Sequence, residues 1–144
     1  MNVQKGFSLI EIMVVIVIMG LLLSIVGPQV FDNVGKAQQQ TVKAHFSNIK
    51  TALDSYRLDN FRYPTTEQGL EALVFQPSAE PVPKKWRPYM EKLPNDPWDN
   101  NYIYESPGDG GRPFDIISLG ADGMRGGEEA DADRSYWDDT AKEG

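Results

Sequence analysis

Residues 7–26 read FSLIEIMVVIVIMGLLLSIV, and this stretch decides the architecture of the chain. It is almost entirely apolar over about 20 residues, which as a helix at about 1.5 Å per residue spans a hydrocarbon core of about 30 Å. A cleavable secretory signal is the alternative, but its apolar region is usually about 7–15 residues long and ends at a small-residue cleavage site. The stretch therefore predicts a transmembrane helix.

The charges that flank this helix predict its orientation. Lys5 stands just before the apolar stretch, and no basic residue follows until Lys36. Because basic residues stay on the cytoplasmic side of a membrane, the N-terminus is expected in the cytoplasm. The rest of the chain is therefore expected on the exported side.

Composition limits what the exported part can do. The chain has 144 residues, a formal net charge of -7 and no cysteine. Nucleic-acid binding is not expected, because it needs clustered Lys and Arg to neutralise phosphates. The single histidine, His45, cannot make a zinc site of nitrogen and sulfur ligands, and no catalytic constellation surrounds it in sequence. Any metal would have to be held by oxygen atoms.

Glu11 is the most informative residue of the apolar stretch. A carboxylate near the centre of a membrane helix costs about 2.5–3.5 kcal/mol on insertion scales. Because the stretch contains no cation, the partner is expected from another chain or from an amine created by cleavage of the leader. The energetics of this one residue therefore predict assembly.

The N-terminus resembles the leader of type IV pilins and pseudopilins. The residues that carry the resemblance are a short basic leader ending in glycine, Met1-Asn2-Val3-Gln4-Lys5-Gly6, and the following Phe7-Ser8-Leu9-Ile10-Glu11. The resemblance implies that a prepilin peptidase cuts between Gly6 and Phe7 and methylates the new amine of Phe7. It also implies that Glu11 pairs with the Phe7 amine of a neighbouring subunit in a filament.

Gly20, Gly27 and Pro28 interrupt the otherwise helical run. A proline inside a helix removes a backbone donor and clashes with the preceding turn, so a kink or a melted stretch is expected there. A simple packing kink is the alternative for the isolated subunit. The resemblance favours the interval from Gly20 to Pro28 as one that extends on assembly.

The chain after Pro28 predicts an amphipathic helix that ends between Asn60 and Pro64. Its opposite face, which includes His45, is predicted to be solvated. Apolar residues recur at steps of three and four, which is typical of a helix with one buried stripe. These residues are Val30, Val34, Ala37, Val42, Phe46, Ile49, Leu53 and Tyr56.

The second half of the chain predicts a small antiparallel sheet. Residues 65–68, TTEQ, have the spacing of a capping box, and a short helix is expected after them. Two β-rich runs, 102–104 and 114–117, flank a glycine-rich turn and predict a hairpin. The proline-rich loop 76–99 is expected to pack onto the core through Trp86, Tyr89, Leu93 and Trp98.

Three segments of this half resemble the major pseudopilins of type II secretion. They are DNFRYPTTEQGLEAL (59–73), LPNDPW (93–98) and FDIISLGADG (114–123). The chain departs from the family pattern at Asp99 and Asn101, where glycine and proline are frequent. It also ends in Arg-Ser-Tyr-Trp (134–137), where the family usually has Ile-Gly-Asn-Trp.

Residues 118–133, SLGADGMRGGEEADAD, form an acidic glycine-rich loop with too few apolar residues to fold by burial. A hard cation held by six to eight oxygens at about 2.3–2.6 Å would convert the repulsion between the acids into binding. The spacing is not that of an EF-hand, so composition alone leaves a solvated acidic loop as an equal alternative. The resemblance implies one calcium ion, with the Leu119 carbonyl and Asp122 as ligands and Glu129, Asp131 and Asp133 as further candidates.

Together these features predict an α+β protein with a type IV pilin-like fold. A long N-terminal helix, transmembrane and then amphipathic, is expected to pack on a small antiparallel sheet with a C-terminal calcium-binding loop. The expected divisions are a cleaved leader at 1–6, a transmembrane and polymerisation helix at 7–28, and a periplasmic head at 29–144.

The resemblance implies a structural subunit of the type II secretion pseudopilus that is not an enzyme. It would polymerise from the inner membrane and help to drive folded exoproteins through the outer-membrane secretin. The implied partners are further copies of the chain, minor pseudopilins, an inner-membrane assembly platform and the prepilin peptidase.

Two other functions are alternatives to a pseudopilus subunit. One is a type IV pilin of a surface fibre for adhesion or motility, against which stand the calcium loop and the lack of a C-terminal cysteine pair. The other is a membrane-tethered hydrolase using Asp131 and Asp133, which no nucleophile pattern supports.

Overall fold

The computed structural model describes residues 5–140, except for the side chains of residues 139 and 140. The first four residues of the predicted leader lie outside this range. The described chain divides into two compact units between Ala37 and Gln38. In chain order the elements are α1 (Leu9–Asn60), a 3-10 helix (Leu70–Leu73), β1 (Ile103–Glu105), a 3-10 turn (Asp109–Gly111), β2 (Asp115–Ser118), β3 (Arg134–Ser135) and α2 (Trp137–Thr140).

The first unit contains the apolar part of α1. Every side chain from residue 7 to residue 26 is exposed in the single chain. Among the described residues, α1 is the one helix that is long and apolar enough to cross a membrane. Its side chains suit lipid tails or the apolar helices of neighbouring subunits, as expected of a transmembrane helix.

α1 continues through the interval where the sequence predicts a kink or a melted stretch. The helix is unbroken from Leu9 to Asn60, with Pro28 inside it. The prediction of a melted stretch is therefore wrong for the single subunit, because a proline removes only one of the many backbone hydrogen bonds. The extension of this interval on assembly stays a prediction.

The second unit is built around the C-terminal half of α1. The predicted apolar stripe is buried from Val42 onward, at Val42, Phe46, Ile49, Leu53 and Tyr56, and Ala52 joins it. Val30 and Val34 are about half exposed, at 51% and 49%, so the stripe is shorter than predicted. Both residues belong to the first unit.

His45 departs from the predicted solvated face. It is half-buried, and its Nδ1 lies 2.8 Å from the Tyr102 hydroxyl. Burial raises the pKa of Tyr102 above its usual range, so this phenol stays protonated and hydrogen-bonding at neutral pH. Tyr102 brings the sheet to the helix at this point, and periodicity alone could not show that.

α1 ends at Asn60, inside the predicted interval. The next residue, Phe61, adopts a left-handed conformation with φ of 61°, and its amide donates to the Arg57 carbonyl at 2.7 Å. Glycine or asparagine usually occupies this position, because a Cβ is strained there. The Phe61 ring is 87% exposed, so packing within the chain does not compensate for the strain.

We therefore expect Phe61→Gly to stabilise the second unit by about 0.5–1 kcal/mol, since glycine removes the strain and loses little burial. The measurement is the thermal midpoint of the full chain in detergent, with an expected rise of about 2–4 °C. Phe61→Ala is the matched control: it removes the same ring but keeps the Cβ, so its midpoint should not rise. A lower midpoint for Phe61→Gly would contradict the strain assignment.

The three strands form an antiparallel sheet in the order β1-β2-β3. Ile103 faces Ile117 across β1 and β2, which confirms the predicted hairpin with strand bounds shifted by one residue. β3 pairs Ser135 with Ile117 and was not predicted, because a two-residue strand has no visible periodicity. Phe114 and Ile116 are fully buried in the shared core, so this sheet packs on α1.

Two other features of the second unit are confirmed. The capping box is reciprocal: the Thr65 amide donates to Gln68 Oε1 at 3.1 Å, and the Gln68 amide donates to Thr65 Oγ1 at 3.2 Å. The short helix that follows is a 3-10 helix. The proline-rich loop packs on the core as predicted, with Trp86 Nε1 donating to the Ala72 carbonyl at 2.7 Å.

Candidate functional site

The predicted processing site is accessible. Gly6 and Phe7 precede α1 and are exposed, with the Phe7 side chain 81% exposed. A peptidase could therefore reach the bond between them.

Glu11 lies in the first turn of α1 and not near the centre of the membrane helix, where it was predicted. Its amide donates to Ser8 Oγ at 3.2 Å, and its Oε2 accepts from the Ser8 amide at 3.4 Å, so the two residues form a capping box. The positive end of the helix dipole also favours a carboxylate here. The Ser-x-x-Glu spacing of residues 8–11 is the sequence signal for this capping box.

The capping box does not supply Glu11 with a cation. Within residues 5–140 no salt bridge reaches Glu11, and its neighbours in the first turn are apolar. The hydrogen bond from the Ser8 amide is long, at 3.4 Å, and one such bond does not balance a full carboxylate charge. The charge therefore remains available to a cationic partner from outside the described chain.

The acidic loop has a defined backbone. The Ala121 amide donates to the Ala130 carbonyl at 2.9 Å, and the Asp131 amide donates to the Glu128 carbonyl at 3.0 Å, which closes the loop on itself. Gly120 has φ of 73°, and a Cβ there would lie 2.6 Å from the carbonyl carbon of Asp131. Glycine is required at this position because the two backbone segments touch.

The predicted metal ligands in this loop differ in their hydrogen bonds and in their exposure. Asp122 Oδ1 accepts from the Met124 amide at 3.0 Å, and Asp133 Oδ2 accepts from the Gly126 amide at 3.1 Å. Asp122, Glu129 and Asp131 are exposed, whereas Leu119 and Asp133 are half-buried. In the described part of the chain, no three acidic or histidine side chains come together as a preformed metal cluster.

One atom of the loop is suited to ligate a cation. Asp133 Oδ1 is buried and has no hydrogen-bond partner within the described chain. An unpaired buried carboxylate oxygen is costly, and a hard cation would satisfy it. The loop supplies carboxylate and carbonyl oxygens, which calcium prefers, and any bound ion would have to draw the exposed acids inward.

A second set of residues, which was not predicted from the sequence, supports the loop. Asp96 is buried and accepts hydrogen bonds from Ser118 Oγ at 2.8 Å and from the Asn100 amide at 2.8 Å. Asn100 Nδ2 donates to the Gly120 carbonyl at 3.0 Å. The Asn-Asp-Pro turn signal at 95–97 was the available clue.

Comparison with family models matches nearly the whole chain. Residues 1–27 match the prokaryotic N-terminal methylation motif, and residues 29–137 match protein G of the type II secretion system. The second match favours secretion over the surface fibre that the sequence left as an alternative.

Individual relatives agree with these matches. The chain is 53% identical over 137 residues to the type II secretion system core protein G of Pseudomonas aeruginosa, covering 94% of this chain and 96% of the relative. It is 50% identical over 139 residues to the core protein G of Vibrio cholerae, covering 95% and 94%. The crystal structure of the major pseudopilin from enterohaemorrhagic Escherichia coli superposes with a TM-score of 0.66 at 42% identity, covering 74% of this chain and 92% of that one. The chain therefore belongs to the protein G family of the type II secretion system, the major pseudopilins.

Proposed function

We propose that this pseudopilus subunit is cleaved and methylated at Phe7, is stored in the inner membrane, and polymerises through Glu11 into a periplasmic filament. The observation that carries the proposal is the N-terminal methylation motif of residues 1–27, which contains the exposed apolar stretch 7–26. Growth of the filament would help to drive folded exoproteins through the outer-membrane secretin.

The proposed topology places the N-terminus in the cytoplasm and the second unit in the periplasm. Support comes from Lys5 before the apolar stretch and the lack of a basic residue until Lys36. The proposed partners are further copies of this chain, minor pseudopilins, the inner-membrane assembly platform and the prepilin peptidase.

The proposed role of the acidic loop is to bind one structural calcium ion. The Leu119 carbonyl and Asp122 are the first candidates, and Asp133 is supported by its unpaired buried Oδ1. Glu129 and Asp131 complete the candidate set. The bound ion would fix the loop, so that the surfaces that meet in the filament match.

A catalytic role is not part of the proposal. Asp131 is exposed at the loop surface, and Asp133 already accepts a backbone hydrogen bond.

The processing step is tested by mass spectrometry of the protein isolated from a host with an active secretion system. We expect the mature chain to begin at Phe7 and to carry one N-methyl group. Gly6→Glu is the informative variant, because a bulky charge before the scissile bond should leave the leader attached, and Lys5→Arg is its charge-conserving control. A mature chain that begins elsewhere would contradict the proposal.

A further inference from the structure

The acidic loop is fastened to the rest of the second unit at its start, by the side chain of Asn100. Asn100 Nδ2 donates to the Gly120 carbonyl at 3.0 Å. A Cβ added to Gly123 would lie 3.2 Å from Asn100 Oδ1, so the same side chain also lies close to Gly123. Asn100 is therefore placed against both ends of the turn 120–123, and this turn carries Asp122.

Asn100 is itself held by the buried carboxylate of Asp96. The Asp96 amide donates to the Asn100 carbonyl at 2.9 Å, and the Asn100 amide donates to Asp96 Oδ1 at 2.8 Å. Asp96 Oδ1 also accepts from the Trp98 amide at 3.0 Å, and Asp96 Oδ2 accepts from Ser118 Oγ at 2.8 Å. Both oxygens of Asp96 therefore have partners within the chain. Such a satisfied buried network is rigid, so it can hold Asn100 in place.

The second half of the loop rests on the same turn. The Ala121 amide donates to the Ala130 carbonyl at 2.9 Å. A Cβ added to Gly120 would lie 2.6 Å from the carbonyl carbon of Asp131, so these two backbone segments are in contact. The position of Asp131 therefore depends on the turn. So does the position of Asp133, whose buried Oδ1 has no hydrogen-bond partner within the described chain and points to an ion at this loop.

A further contact fastens the middle of the loop to the sheet. Arg125 Nη2 lies 3.1 Å from Glu105 Oε1, at the end of β1. These two side chains are 61% and 37% exposed, and exposed ion pairs contribute little because water and salt screen them. Arg125 also lies between Asp122 and Glu129, outside the candidate ligands. Asn100 is therefore the contact that acts on the candidate ligands at the start of the loop.

Order in the loop before an ion arrives raises the affinity of a metal site. A flexible loop loses conformational entropy when it closes around an ion, and this loss weakens binding. A loop whose backbone is already fixed avoids most of that loss. Burial does little to order this loop, because residues 121, 122 and 124–131 are exposed. Hydrogen bonds from outside the loop therefore have a large effect on its order.

We propose that Asn100, held by Asp96, is a positioning residue for the proposed calcium site. It fixes the turn 120–123 in the ion-free protein, and it sets the calcium affinity through the Leu119 carbonyl and Asp122 without contacting the ion. This role rests on the calcium binding proposed above. It adds the residues outside the ligand set that determine how tightly the ion is held.

Calorimetric titration of the full chain in detergent with calcium tests this role. Asn100→Ala should weaken calcium binding by about 10–100-fold, which is the usual effect of removing a residue that orients metal ligands. Asn60→Ala is the matched control, because Asn60 is also half-buried and its Nδ2 also donates to a backbone carbonyl, that of Tyr56 at 3.1 Å. The control should lower the thermal midpoint in chelator but keep the wild-type calcium affinity.

The outcomes of this titration separate the positioning role from calcium binding itself. Equal affinity in wild type and Asn100→Ala would overturn the role of Asn100 and leave calcium binding intact. A similar loss of affinity in Asn60→Ala would show general destabilisation and would also overturn it. A wild-type chain that binds no calcium would overturn both.

Asn100→Asp separates positioning from direct ligation of the ion. Aspartate keeps Oδ1 but replaces the Nδ2 donor with an oxygen, which repels the Gly120 carbonyl. Positioning predicts that Asn100→Asp binds calcium more weakly than wild type. A variant that binds calcium as tightly as wild type, or more tightly, would identify residue 100 as a ligand and overturn the positioning role.

Hydrogen exchange of the ion-free protein, followed by NMR, measures the order of the loop directly. The Ala121 amide, which donates to the Ala130 carbonyl, should exchange several-fold faster in Asn100→Ala than in wild type. The Gln68 amide, which donates to Thr65 Oγ1, is the internal reference and should exchange at the same rate in both. Unchanged protection of the Ala121 amide would overturn the proposal, as would equal acceleration at both amides, which indicates a global loss of stability.

Discussion

Glu11→Ala is expected to insert into the inner membrane in normal amounts and to leave cells without pseudopili. The carboxylate has one long internal hydrogen bond, from the Ser8 amide at 3.4 Å, and no cation within residues 5–140. In the filament its partner would be the methylated Phe7 amine of a neighbouring subunit. Removal of one member of such a buried pair costs about 3–5 kcal/mol per contact, because the other charge is left stranded.

The capping box at Ser8 calls for a control that separates its effect from ion pairing. Glu11→Gln keeps an acceptor for the Ser8 amide, because glutamine also serves at this position of a capping box, but it removes the charge. Ion pairing predicts that Gln fails in assembly as Ala does. Capping alone predicts that Gln assembles normally, and that result would contradict the pairing.

Membrane insertion and filament yield are the two measurements. Alkali-resistant membrane association should be equal for wild type, Glu11→Ala and Glu11→Gln, since all three keep the apolar stretch 7–26. Sheared filaments should be present only for wild type. Loss of membrane association in Glu11→Gln would show that the charge acts before assembly.

The parts of the fold that the sequence predicted are those with a periodic or local signal. The stripe from Val42 to Tyr56 repeats at helical spacing, and the Thr65–Gln68 capping box is a contact between residues three apart. The hairpin is marked by β-branched and aromatic residues on both sides of a glycine-rich turn. Each of these signals depends on residues close together in the chain.

The parts that were missed depend on contacts between distant residues. His45 looked solvated because its helical position is on the polar face, but Tyr102, 57 residues away, reaches it. Asp96 and Asn100 support Ser118 and Gly120 across about 20 residues, and no spacing rule links them. Pro28 does not melt the helix in the single subunit, because a proline removes only one of its many backbone hydrogen bonds.

The proposed calcium site also depends on contacts that the sequence does not report. Composition identified the acids of the loop, and family resemblance ordered them, but neither could show that, of the five acids in this loop, Asp133 is the one with a buried oxygen that has no hydrogen-bond partner within the described chain. Asp122 already has a local role, since it accepts from the Met124 amide.

Removal of calcium is expected to lower the thermal midpoint of the full chain in detergent by about 5–10 °C. By linkage, calcium at about 100 times its dissociation constant adds about 2.7 kcal/mol to the folded state, because the unfolded loop does not form the site. Without the ion, the five acids of the loop repel one another, and Asp133 Oδ1 remains buried without a partner.

Asp122→Ala should abolish this calcium-dependent rise in the midpoint. The variant also loses the hydrogen bond from the Met124 amide, so it must be compared with wild type in chelator, where that loss alone is measured. Glu128→Ala is the matched control: it removes an acid from the same loop that is not in the candidate ligand set, and it should keep the rise. If wild type melts identically in calcium and in chelator, the calcium proposal is wrong, whereas a rise retained by Asp122→Ala would move the site to Glu129, Asp131 and Asp133.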